Sequence, residues 1–90
     1  MVLINGFTGV KMELSQAISL TTRAVENAIK QHPNKFYDYH QGYAIIKEEL
    51  DELWDAIKDK NSTQSDILTE ALHVAATTLR FITDLTQPLC

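Results

Sequence analysis

Cysteine is almost absent from this chain of 90 residues: there is one, Cys90, and it is the last residue. A disulfide framework or a CxxC metal site within one chain is therefore excluded, and a reducing, cytoplasmic setting is expected. Breakers are scarce too, with three Gly and two Pro, which sets the chain apart from linker-like or disordered sequences. Basic residues are few. Eight Lys and Arg stand scattered against twelve Asp and Glu, for a net charge of −4, and that balance argues against broad binding to a nucleic-acid backbone. A negatively charged small ligand would need a bridging cation. Long apolar runs are also missing: the opening MVLINGFTGV is too short to span a bilayer and lacks a basic flank, so neither a membrane partner nor a targeting segment is expected.

What the chain does have is hydrophobic substance. Some 44% of its residues are hydrophobic, enough for one domain over residues 1–90, yet at this length a lone core is marginal and a partner subunit often completes it. The apolar residues recur at helical spacing in three segments. Over about 12–31, Leu14, Ile18, Val25 and Ile29 alternate with polar residues until Pro33. A second helix is expected over about 39–59, with Asp38 as its N-cap. The loop DKNSTQSD follows, ending in a cap near Ser65, and a third helix is expected over about 66–84, with Pro88 beyond its end. No convincing strand, repeat or linker interrupts this order.

The third helix is apolar around half its circumference or more. Leu68, Leu72, Ala75, Leu79 and Ile82 form one stripe, and Ile67, Ala71, Val74, Phe81 and Leu85 widen it. Two other helices cannot cover so wide a face. The expected architecture is all-α: a three-helix chain forming a four-helix-type bundle core in a homo-oligomer, either a homodimer or a homotetramer.

The second helix raises a different question, because KEELDELWDAI, residues 47–57, carries five acidic side chains in eleven positions. Projection at ~100° per residue puts Ile46, Leu50, Leu53 and Ile57 at the centre of its core face, with Trp54 anchoring beside it. Glu49 and Glu52 fall on the shoulder of that face between Ile45 and Ala56, whereas Asp51 and Asp55 look outward. Half-buried carboxylates repel each other without a counter-charge, and a divalent cation is the obvious one. On the third helix Asp66, Glu70, His73 and Thr77 form a matching polar strip, with Arg80 close by. If the two helices run antiparallel, Glu49 and Glu52 meet Glu70 and His73. The aromatics Phe36, Tyr37, Tyr39 and Tyr43 are expected to pack at the first loop rather than to stack on a base.

These residues resemble a family. Glu48-Glu49-Leu50-Asp51-Glu52 matches the EExxE signature of the MazG-like all-α nucleoside triphosphate pyrophosphohydrolases, and Glu70, after a 17-residue gap, begins the position of their ExxD element. The phrases GYAIIKEELDELWDAI and EALHVAATTLRFI look like small, phage-type MazG-like proteins. The resemblance implies an all-α NTP pyrophosphatase-like fold and hydrolysis of a (d)NTP to (d)NMP and pyrophosphate with Mg2+. It also implies Glu49, Glu52 and Glu70 as metal ligands and Glu48 as the residue that orients or deprotonates the attacking water. Arg80 is the candidate for phosphate contact, from position. His73 stands where the family has Asp, which favours Mn2+ or another transition metal, or leaves Asp66 as the replacement ligand. The alternative is a catalytically silent MazG-like helical oligomer that serves as an interaction module.

Overall fold

A computed structural model describes residues 11–86. The apolar N-terminal stretch, Pro88 and Cys90 lie outside the described residues. Among those described, the fold is all-helical: α1 (Leu14–Gln31), α2 (Tyr39–Lys58) and α3 (Gln64–Leu85). Each helix begins where a side chain can satisfy backbone groups left free by the first turn. The Glu13 N–H donates to Gln16 Oε1 at 2.8 Å before α1. Asp38 caps α2, its Oδ1 accepting from the Gln41 N–H at 2.8 Å. For α3 the cap is Thr63, two residues before Ser65. Thr63 Oγ1 accepts from the Asp66 N–H at 3.1 Å, and Asp66 Oδ2 accepts from the Thr63 N–H at 2.9 Å, a reciprocal capping box.

α3 is the middle helix. α1 and α2 each pack against it and, among the described residues, not against each other. Against α1 the contact is built on small residues: Ala24 is fully buried and meets Leu72 and Ala76 of α3, with Leu20, Val25 and Leu68 packed around them. Against α2 the closest approach is at Gly42, which is buried. A Cβ at that position would lie 2.5 Å from Phe81 Cδ2 and 3.2 Å from Leu85 Cδ1, so the hydrogen of glycine is what lets the two helices close. Tyr39 tilts onto the same Phe81, with ring centroids 6.0 Å apart. Because Gly42 meets Phe81 and Leu85 while Glu49 meets Glu70 and His73, α2 and α3 run antiparallel.

The α1–α2 connection is tied to α3 by one side chain. Arg80, 5% exposed, donates from Nε to Asp84 Oδ2 at 3.2 Å, from Nη1 to the Ala28 carbonyl at 3.3 Å, and from Nη2 to the carbonyls of His32 and of Asn34 (2.7 Å for the latter). Asp84 Oδ2 in turn accepts from the Phe36 N–H at 3.2 Å, and the guanidinium lies 5.4 Å from the Phe36 ring centroid. The carbonyls of His32 and Asn34 past the end of α1 thus find a donor on α3, and that of Ala28, which already accepts from the His32 N–H at 2.9 Å, finds a second.

One expectation about helix faces is corrected. The side of α2 turned to α3 is centred on Glu49, flanked by Gly42, Ile45, Leu53 and Ala56, while Leu50, Trp54 and Ile57 are each about half exposed. On α3, Leu72 is buried and Leu68 half-buried, but Ala75, Leu79 and Ile82 face outward. The physical reason is that α2 carries two apolar sides, and the one holding Gly42 can approach Phe81 more closely than a side built on Leu and Ile.

Candidate metal centre

Glu49 and Glu52 lie three residues apart on α2, and Glu70 and His73 three apart on α3, so each pair shares a helix face. The antiparallel contact brings the pairs together: one ligand atom from each of the four lies within 4.8 Å of the others. His73 Nδ1 stands 3.3 Å from Glu70 Oε2 and 3.6 Å from Glu49 Oε2. Neither approach makes a hydrogen bond. Glu49 Oε2, Glu70 Oε2 and His73 Nε2 are buried without a hydrogen-bond partner, although buried polar atoms nearly always have one. Glu52 is the exposed member, at the rim.

The electrostatics follow from this crowding. The Glu49 carboxyl is raised from 4.5 to about 7, by burial first of all, then by the neighbouring charge of Glu52, a hydrogen bond with it, and the charges of Glu70 and Glu48. A carboxylate raised this far lacks a counter-charge. The donor set suits a divalent cation: three carboxylates supply hard oxygens and His73 a nitrogen. Ligands 2.0–2.2 Å from a common ion sit at most about 4.4 Å apart, so the 4.8 Å spread needs a contraction of only a few tenths of an ångström. The donors and the unpaired atoms of the cluster fit such an ion.

The cluster forms part of the wall of a groove. A cavity of about 330 Å³ lies between α1 and α2, with Asn27 and Gln31 of α1 facing Glu49, Glu52, His73 and Thr77. A larger one of about 630 Å³ adjoins it along Glu48, Phe36 and Arg80. Glu48 is exposed beside the donors and not among them. Sequence reasoning missed Asn27 and Gln31; the signal was there, as two amides one turn apart beside Ala24 and Ala28, the small residues that seat α1 on α3.

Two expected roles change. Arg80, read from the sequence as a phosphate contact, directs its Nε and both terminal nitrogens to Asp84 and to three backbone carbonyls, which makes it a clamp between elements. Asp66 serves the α3 capping box and is not one of the four donors. Comparison with protein-family models, curated proteins and solved structures finds no match to this chain.

Proposed function

We propose that the chain is a metal-dependent nucleoside triphosphate pyrophosphohydrolase of the MazG-like kind, converting a (d)NTP to a (d)NMP and pyrophosphate. The observation that carries this reading is the cluster of Glu49, Glu52, Glu70 and His73 with its buried, unpartnered oxygens and nitrogen at the side of an open groove. Those four residues would hold the ion. When bound, a divalent ion neutralises triphosphate charge that a chain of net charge −4 repels. The resemblance names Mg2+, whereas the nitrogen of His73 favours Mn2+. Glu48, exposed beside the donors, would orient or deprotonate water. The amides of Asn27 and Gln31 offer donors and acceptors to the rest of the nucleotide from the opposite wall. On this reading the protein works in the cytoplasm as a homo-oligomer, a homodimer or homotetramer with a four-helix-type core.

The test is pyrophosphate release from a panel of nucleoside and deoxynucleoside triphosphates with Mg2+ or Mn2+, comparing the wild type with Glu49→Gln and Glu48→Gln. Release that vanishes in the first variant, and that falls about 100-fold or more in the second with metal binding retained, is the expected result. Folded wild-type protein that releases nothing with either ion refutes the enzyme reading in favour of a silent interaction module.

A further inference from the structure

His73 borders the groove and also a second cavity, of about 660 Å³, beside the loop that joins α2 to α3. The charge of this second cavity is all of one sign. Asp55 and Asp59 at the end of α2 stand across from Asp66 and Glu70 at the start of α3, and no Lys or Arg lines it. Within each pair the carboxylates are four residues apart, about 6 Å along a helix. Asp55 and Asp59 also stand at the negative end of the α2 dipole, where acidic side chains are disfavoured and a cation is favoured. Lys58 reaches Asp55 at 3.5 Å but lies over the Trp54 ring, outside the lining. Asp59 Oδ1 accepts from the Asn61 N–H at 2.9 Å and Asp66 Oδ2 serves the capping box, which leaves a second oxygen on each.

Exposed carboxylates alone point to no ligand; the floor of the cavity does. Among the described residues two polar side chains are buried, Arg80 and Thr69. Arg80 is satisfied by Asp84 and by backbone carbonyls. Thr69, 9% exposed and the most buried residue of the lining, makes no side-chain hydrogen bond among the described residues. A helical threonine can return its hydroxyl to the carbonyl four residues back, as Thr21, Thr22 and Thr78 do at 2.8, 2.9 and 2.8 Å. Thr69 does not, and a buried hydroxyl nearly always has a partner. Its oxygen is left to the cavity.

We infer that this cavity binds a linear aliphatic polyamine. One ammonium group lies between Asp55 and Glu70, the next between Asp59 and Asp66, and the Thr69 hydroxyl accepts an N–H from the floor. A tetramethylene spacer sets two ammonium groups about one helical turn apart, which matches the step between the carboxylates. A metal ion fits less well. Among the described residues the one close group of three or more such donors is Glu49, Glu52, Glu70 and His73, so Asp55, Asp59 and Asp66 do not gather around a single point. A cleft lined by one sign of charge concentrates ions of the other, and charge-assisted hydrogen bonds to carboxylates then hold them. The cavity is distinct from the groove of the proposed function, and its test needs neither nucleotide nor metal ion, so either reading can fail alone.

The experiment titrates spermidine into the full chain in chelator, with sodium chloride holding ionic strength constant, and follows it by calorimetry and by two-dimensional amide NMR. Expected is saturable binding with the largest shifts at Asp59, Asp66 and Thr69. Asp55→Asn/Asp59→Asn should bind about tenfold more weakly or worse, and Thr69→Val about threefold or more. Glu26→Gln/Asp51→Asn removes the same charge elsewhere and should bind as the wild type does. Far-UV circular dichroism confirms that each variant is helical, and if Thr69→Val does not fold, the shift at Thr69 in the wild type decides. Absence of saturation at millimolar spermidine overturns the inference. So does equal weakening in the Glu26/Asp51 control, which marks diffuse counter-ion attraction, a set of shifts confined to Glu49 and Glu52, or Mg2+ binding the same residues as tightly as spermidine.

Discussion

Replacing Glu49 with Gln removes one negative charge from the cluster and keeps the shape. In the metal-free protein the Glu49 carboxyl is held at about 7 against an ordinary 4.5. A group raised in the folded state contributes its full stability below the lower value and loses it as pH rises through the higher one, so the metal-free wild type weakens between about pH 4.5 and 7. At ~1.36 kcal/mol for each pH unit the loss comes to about 3 kcal/mol. A quarter of the side chain is solvent-exposed, and screening brings the figure to about 2 kcal/mol. A neutral amide carries no such cost. In a chelator at pH 8, Glu49→Gln should therefore melt about 8–16 °C above the wild type, as ~2 kcal/mol does in a domain of this size, and near pH 4.5 the two should converge. Saturating Mn2+ should then raise the wild type while leaving the variant where it was. Thermal melts by circular dichroism at the two pH values, with and without the ion, supply the assay. A variant that melts at or below the wild-type temperature at pH 8 in chelator would refute the claim that the cluster is held against its own repulsion.

Three other substitutions probe the frame and the ion. Arg80→Met leaves Asp84 buried without its cation and the carbonyls of His32 and Asn34 without the guanidinium donor, so urea denaturation should show a loss of about 3–5 kcal/mol; a variant of unchanged stability that has lost pyrophosphate release would instead restore the phosphate role. Gly42→Ala gains about 1 kcal/mol of helix propensity but drives a methyl into the Phe81 ring, with an overpacking cost of ~1–3 kcal/mol. The melting temperature should fall by several degrees, and a rise would show that α2 does not depend on the close approach. His73→Asp exchanges nitrogen for oxygen, and the ratio of Mg2+-supported to Mn2+-supported pyrophosphate release should climb at least tenfold; an unchanged ratio would separate His73 from the ion.

Much of this was legible from spacing alone, and the exceptions share a cause. Period and caps mark out three helices, and Asp38 is readable as a cap because no rival stands next to it. In DKNSTQSD several residues can cap; what selects Thr63 is the partner three positions later, Asp66, and that pairing also removes Asp66 from the ligand set. The four donors could be brought together on paper because positions three apart on two antiparallel helices must share a face. Which side of α2 meets α3 was not legible. Hydrophobicity marks Leu50 and Ile57 as strongly as Ile45 and Leu53, and the choice rests on one hydrogen in place of a methyl at Gly42. Arg80 misleads for a related reason: a sequence shows a cation near acidic residues but not the ends of α1 coming back to claim its donors.

Among the described residues α1 touches α3 and not α2, which sets it apart from the helices that carry the donors. All four donors sit on the α2–α3 hairpin, whose partners are close in sequence and so form with little loop-closure entropy. α1 is seated on small residues and latched at one end by Arg80, and amide exchange along it should report an opening of lower free energy than the hairpin's. The groove takes Asn27 and Gln31 from α1, whereas all four donors stand on α2 and α3. The wall that could shift and the wall that carries the donors thus belong to different parts of the chain.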